Sequence, residues 1–167
     1  PKTSYRREIT WGVFNEKANR FANLLLQRGV KKGDKVAILM MNGLEWLPIY
    51  FGILKTGALA VPLNFRYSAD EIEYCVNLAE VDILVFSDAF IGRVEEIADR
   101  ISKGRLLIYV GEGCPGFADD YNSLSANCSS QSPMVALTDE DFAAIYFSSG
   151  TTGFPKAILH KHKALLH

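Results

Sequence analysis

Between residues 10 and 110, short apolar runs alternate with longer stretches whose apolar residues recur every three or four positions, and this alternation sets the fold class. Thr10 can cap a helix whose apolar stripe is Trp11, Phe14, Ala18, Phe21, Ala22 and Leu25, the i, i+3, i+4, i+7 spacing of an amphipathic helix. The aromatic residues Trp11, Phe14 and Phe21 of that stripe read as core. Gly29 suits the helix end, where a left-handed residue closes the last turn. Gly33 and Asp34 turn the chain into residues 35–41, an apolar run that suits a buried strand. The unit then repeats, with a helix over 45–56 stopped at Gly57, a strand over 58–61 and a helix opened by the S-x-x-E capping box of Ser68 and Glu71. That third helix puts Ile72, Cys75, Val76 and Ala79 on one face. A strand over 82–86, a helix over 90–101 and a strand over 105–110 follow. Strands alternating with helices predict an α/β domain, a mainly parallel sheet flanked by helices.

Residues 111–137 break this rhythm. They are rich in Ser, Gly, Pro, Asp and Asn and predict a long connection with one helical turn near 121–124. Within it, Gly111, Gly113 and Gly116 satisfy the spacing G-x-G-x-x-G, a dinucleotide fingerprint. That fingerprint has to open a helix, and Pro115 followed by Phe-Ala-Asp-Asp does not, so a turn is the better reading. Residues 142–147 then predict another strand.

Apolar residues make up 49% of the 167 positions, enough for a sizeable core in one domain. The formal net charge of −1 leaves no global basic footprint for nucleic acid, although the stretch from Phe142 onward holds three lysines and no acid. Cys75, Cys114 and Cys128 form no C-x-x-C pair and are odd in number, which disfavours a disulfide framework or zinc site and points to a reducing, cytoplasmic setting. Cys75, on an apolar helix face, reads as a buried thiol and not a nucleophile. The apolar stretch 46–63 is interrupted by Pro48, Gly52, Gly57 and Pro62, so it predicts a buried helix and strand, not a membrane span. Pro1 at one end and an unfinished helical pattern after Lys163 at the other read as a cut fragment.

Chemistry concentrates in residues 145–156, Ile-Tyr-Phe-Ser-Ser-Gly-Thr-Thr-Gly-Phe-Pro-Lys. A strand runs into Ser148, Ser149, Gly150, Thr151, Thr152 and Gly153, and Lys156 follows two residues later. Glycine lets the backbone approach an anion closely. Successive backbone N–H groups can then form a nest around phosphate oxygens, the hydroxyls add donors, and Lys156 adds a point charge. The spacing is not that of the NTPase loop G-x-x-x-x-G-K-[ST], because Phe154 and Pro155 separate Gly153 from Lys156 and Ala157 follows. Composition alone leaves open an ordinary Ser/Gly surface loop with a solvated lysine. His160 and His162 would share a face of a strand, yet no third ligand lies nearby and two lysines flank them, so a strand end entering a helix is the preferred reading. Lys161 and Lys163 read as solvated.

The string from Ile145 to Lys156 resembles the signature loop of the adenylate-forming superfamily, which comprises acyl- and aryl-CoA synthetases, firefly-luciferase-like enzymes and peptide-synthetase adenylation domains. The resemblance extends upstream through Thr10-Trp11, Asn19-Arg20, residues 29–36, Asn42, Glu45-Trp46 and residues 54–64. Gly-Thr-Thr-Gly in the loop and Val61-Pro-Leu-Asn64 favour CoA ligases within it. Ala157 departs from the glycine usual after Pro-Lys.

The resemblance implies that residues 1–167 are a partial N-terminal AMP-binding domain, part of the large N-terminal domain of an adenylate-forming enzyme. It implies ATP-dependent activation of a carboxylic acid to acyl-adenylate, then transfer to coenzyme A, with Mg²⁺ as cofactor. It assigns Ser149, Gly150, Thr151, Thr152, Gly153 and Lys156 to the ATP phosphates and Ser148 to the metal. The family's catalytic lysine, its metal-binding glutamate and its acid pocket belong to later motifs, so no catalytic residue is expected in this stretch and the stretch alone is expected to be inactive. Expected partners are a small carboxylate, ATP and coenzyme A, with no nucleic acid and no membrane span. Another adenylating enzyme, loading a carrier protein or building a peptide, and a non-catalytic nucleotide-binding module are the alternatives.

Overall fold

The computed structural model describes residues 7–101, 105–148 and 155–165. Seven strands form one sheet in the order β5-β4-β3-β1-β2-β6-β7. The central five are β1 (Lys35–Leu39), β2 (Leu59–Pro62), β3 (Ile83–Ser87), β4 (Leu106–Val110) and β6 (Phe142–Ser148), with β5 (Asp119–Asp120) and β7 (Lys156–Lys161) at the two edges. Every pairing is parallel except β6 with β7. The mainly parallel α/β sheet read from the sequence is therefore the observed architecture.

Strand periodicity sorts the core into two layers, because successive side chains leave opposite faces. Ala37, Leu39, Leu84, Phe86, Leu107 and Tyr109 point to the side covered by α3 (Ala69–Leu78) and α4 (Ile91–Ile101). Val36, Ile38, Ile83, Val85 and Ile108 point to the side covered by α1 (Trp11–Gln27) and α2 (Trp46–Thr56). Both layers are dry, which is why these strands are apolar runs and not alternating ones.

The helices begin and end where local chemistry dictates. The Thr10 hydroxyl accepts from the Val13 N–H at 3.2 Å, and α3 opens on a complete capping box in which Ser68 and Glu71 serve each other's backbone N–H groups. Gly57 ends α2 in the left-handed conformation at φ 78°. Gly52 allows α2 to cross α1 closely, because a Cβ there would stand 2.8 Å from the Ala18 carbonyl oxygen. The aromatic stripe of α1 divides: Phe21 is fully buried, Phe14 is half-buried, and Trp11 is 84% exposed. Trp11 as core is thus corrected. It sits in the first turn, where no described element packs over it except the edge of Phe14 at 5.7 Å.

The connection after β4 is more structured than its composition suggests. Two aspartates form β5 against β4, and Asp120 caps the short helix α5 (Tyr121–Ser125) by accepting from the Ser123 N–H at 2.7 Å. Gly113, at φ 70°, lies in a turn, and no helix opens within residues 111–116. The following segment is pinned to α1 by side-chain amides and a guanidinium. Asn19 donates to the Ser130 carbonyl, Asn23 to those of Ser129 and Gln131, and Arg20 to those of Ala126 and Cys128. Loop carbonyls that a strand would have paired are satisfied by these donors instead. Among the described residues no helix is long and apolar enough to cross a membrane.

Candidate functional site

β6 and β7 form an antiparallel hairpin whose last described pair is Ser148 opposite Lys156. The chain passes from β6 to β7 through residues 149–155, at the edge of an otherwise parallel sheet. Ser149, Gly150, Thr151, Thr152 and Gly153 lie outside the described residues, so of the predicted phosphate contacts the structure places Lys156, together with the predicted metal contact Ser148. It brings these two onto neighbouring strands in direct register. Strand alternation puts their side chains on the same face as Tyr146 and Ile158. That face is the α1/α2 side, because Ala144 pairs with Ala60 of the same layer while Ile145 joins the opposite one.

Lys156 is exposed, and its ammonium has no acidic partner among the described residues. A cation without a partner at a hairpin mouth is available to an incoming anion. Lys161 and Lys163 differ. Both bond to the Glu140 carboxylate, Lys161 at 2.8 Å, so the reading of these two lysines as simply solvated is corrected. Their two ammonium groups hold the Glu140 carboxyl down at about 2. Next to it, Lys32 bonds Asp141 at 2.7 Å and lowers its pKa, and the Asp141 carboxylate also accepts from the Thr138 N–H at 2.8 Å. The Asp141 carbonyl accepts from the His162 N–H at 2.9 Å, where β7 passes into α6 (His162–Leu165). His160 thus closes a strand and His162 opens a helix, as the sequence predicts. The hairpin base is fastened by three ion pairs and by the backbone bond from His162 to Asp141.

Higher up the stem the tie is aromatic. The hydroxyls of Tyr146 and Tyr50 on α2 share a hydrogen bond at 2.8 Å, and burial with that bond pushes the Tyr50 phenol up. The Tyr146 ring meets the edge of His160 on β7 at 5.1 Å. Tyr146 lies within the signature string, but nothing in the sequence marks Tyr50 as its partner. Tyr50 and Tyr146 are 96 positions apart, and each reads as an ordinary core aromatic.

Among the described residues no three His, Cys, Asp or Glu side chains come together as a metal site. Among the described residues the oxygen donor at the hairpin mouth is the Ser148 hydroxyl, which could serve as one ligand of a Mg²⁺ held mainly by water and substrate phosphates and does not make a protein cage.

The family model described as AMP-binding enzyme matches residues 3–167. Over 162 residues the chain is 32% identical to the medium/long-chain-fatty-acid–CoA/3-oxocholest-4-en-26-oate–CoA ligase of Mycolicibacterium smegmatis, covering 93% of this chain and 29% of that protein. It is 35% identical over 162 residues to the crotonobetaine/carnitine–CoA ligase of Salmonella paratyphi B, covering 93% and 31%. Among solved structures, the anthranilate CoA ligase AuaEII in complex with anthranoyl-AMP superposes with a TM-score of 0.89 at 30% identity, covering 94% of this chain and 30% of that one. The chain spans about 30% of the length of these relatives.

Proposed function

The chain belongs to the AMP-binding enzyme family, and from that premise we propose that it is the phosphate-gripping part of the N-terminal domain of an acyl-CoA synthetase. The observation that carries this reading is the hairpin mouth: Ser148 and Lys156, which has no acidic partner among the described residues, stand in register at the two ends of a Gly/Ser/Thr connection. The parent enzyme joins a carboxylic acid to ATP, then to coenzyme A. The acid's carboxylate oxygen attacks the α-phosphorus and pyrophosphate leaves. The thiol sulfur of coenzyme A then attacks the acyl carbon of the adenylate, AMP departs, and the thiol proton goes to base.

The role of this chain lies in the first step. Lys156 and the backbone and hydroxyls of Ser149, Gly150, Thr151, Thr152 and Gly153 hold the β- and γ-phosphates, so that the α-phosphorus faces the carboxylate. The same donors stabilise the charge that builds on departing pyrophosphate. Ser148 would offer one oxygen ligand to a Mg²⁺ ion, which when bound would add further neutralisation of the triphosphate. Residues 1–167 form a partial N-terminal AMP-binding domain; the parent works on acids of fatty-acid metabolism, the class named for the Mycolicibacterium smegmatis relative, and three free cysteines support a cytoplasmic setting.

The test is ATP–pyrophosphate exchange by the full-length parent with a panel of acids from fatty to aromatic. Carboxylate-dependent exchange is the expected result, with none from the 167-residue chain by itself. A parent that hydrolyses or binds ATP with no dependence on any acid would overturn the reading.

A further inference from the structure

We propose that Tyr50 is a positioning residue for Ser148 and Lys156, acting through Tyr146. The inference rests on the acyl-CoA synthetase reading above. Its starting point is how little of the sheet ladder reaches the hairpin. β6 shares six register pairs with β7 but one with β2, Ala60 with Ala144. Beyond Ala144 no register pair joins the stem that carries Ser148 and Lys156 to β2; Ile145 and Phe147 hold its other face against the α3/α4 layer, and the face toward α2 lacks such packing. A cavity of about 550 Å³ lies between α2 and this arm, with Trp46, Tyr50 and Leu54 on one wall and Leu137, Tyr146 and His162 on the other. Apolar packing therefore does not set the spacing across that gap. The 2.8 Å hydroxyl bond between Tyr50 and Tyr146 does.

The two ends of this bond are unequal. Tyr50 is buried, stacks on Trp46 at 5.4 Å with an interplanar angle of 12°, and meets the edge of Phe51 at 5.9 Å. It is fixed to the core and cannot follow the arm. Tyr146 is half-buried on the arm and in ring contact with His160, so a pull on it is felt by both strands. Tyr146 stands one pleat repeat, roughly 7 Å, before Ser148 on the same face. The bond thus sets the height of the hairpin mouth above α2, and with it the direction in which Lys156 approaches a triphosphate tail. Without it the arm has an open cavity into which to swing.

The experiment uses the full-length enzyme with Tyr50→Phe, Tyr146→Phe and the double variant, which keep both rings. Each single variant is expected to lower kcat/KM for ATP in pyrophosphate exchange by about three- to tenfold, chiefly through KM, the loss of one hydrogen bond's worth of positioning. Thioester formation from supplied acyl-adenylate stays at the wild-type rate. The double variant leaves no hydroxyl orphaned, so its melting temperature returns toward wild type while its KM for ATP stays raised, equal to either single variant. A merely structural bond would make activity follow melting temperature in all three variants, and that result would overturn the proposal. So would unchanged exchange, multiplied losses in the double variant, or equal losses in both half-reactions. A wild-type enzyme that shows no acid-dependent exchange removes the functional reading itself, whereas wild-type exchange with unaffected variants removes the positioning role alone.

Discussion

β3 and β6 belong to one sheet and are held by different means. β3 shares four register pairs with β1 and five with β4, and all five of its residues are buried. β6 shares one pair with β2, and its burial fades from Ala143, Ala144 and Ile145 to half-exposed Tyr146, Phe147 and Ser148. Its steadiness comes from the burial of Ala143, Ala144 and Ile145 at its start, and beyond them from its own hairpin partner, three ion pairs at the base and one phenol pair on the stem. Apolar burial is strong and without direction, so it makes a rigid platform. Hydrogen bonds and ion pairs contribute less but hold particular angles, which suits an arm that has to present donors to a ligand. The difference teaches that in this fold the strand that anchors the core and the strand proposed to carry the chemistry stand in one sheet with two strands between them and respond to different perturbations.

The largest expected effect breaks the platform. Phe86 is fully buried between Tyr109 at 5.6 Å and Phe117 at 5.9 Å. Phe86→Ala should cost about 3–5 kcal/mol, read as a lower urea midpoint. On the arm, Lys156→Ala should leave that midpoint unchanged, because the side chain is exposed and has no acidic partner among the described residues. In the full-length parent it should slow the ATP-dependent half-reaction by about ten- to a hundredfold while sparing thioester formation from supplied adenylate. If Lys156→Ala shifts the urea midpoint as well, the separation between platform and arm fails.

A smaller effect tests the packing of the platform by sign. Gly52→Ala gains about 1 kcal/mol of helix propensity, but its Cβ meets the Ala18 carbonyl at 2.8 Å and overpacking costs about 1–3 kcal/mol. Net destabilisation is expected. Gly92→Ala on α4, where a Cβ meets nothing within 4 Å, should stabilise by about 0.5–1 kcal/mol. Like signs in thermal unfolding would show that the α1–α2 crossing is looser than described.

The smallest effects separate the two regions by pH. Burial pushes Cys75 from 9.0 to about 12, and pushes Tyr67 and Tyr121 from 10.0 to about 12. These groups have raised native values, so their contribution is full below pH 9 and is lost as pH rises toward 12, when only the unfolded chain ionises freely. Glu140 runs the other way. Bonds from Lys161 and Lys163 lower it from 4.5 to about 2, so its tie is present above pH 4.5 and lost as pH falls through 2. Amide exchange followed by NMR should show hairpin amides opening first in acid, with near-ultraviolet circular dichroism of the core changing first in alkali. Because exposed ion pairs contribute little, the acid effect should be confined to the hairpin base.

What was legible in the sequence follows the same division. The capping box at Ser68 and the apolar runs of β1, β3 and β4 are local signals, and the structure places each within a residue or two of its expected bounds. The loop motif was legible as composition and spacing, although Ser149 to Gly153 lie outside the described residues. Three features were not legible, each because the decisive partner is remote or contrary to propensity. Asp119 and Asp120 make a strand only because β4 offers an edge and Asp120 is needed as a cap. Asn19, Arg20 and Asn23 look like a polar helix face until the loop 106–111 positions later lies across them. Trp11 continues a perfect stripe, and the stripe outruns the surface that covers it.

The order of the strands also bears on how the chain is made. β1 is central, and each strand that leaves the ribosome after it finds its neighbour already synthesised: β2 on one side of β1, β3 on the other, then β4 and β5 outward from β3. The exception is the free edge of β2, whose partner residue Ala144 comes 84 positions after Ala60. At about 5–20 residues per second that edge waits roughly 4 to 17 s for β6. During that interval the half-built sheet exposes the one flank on which the hairpin will later sit. This is the window in which a nascent chain of this kind needs a chaperone most, and slowing translation between β2 and β6 should raise its aggregation more than slowing it anywhere earlier.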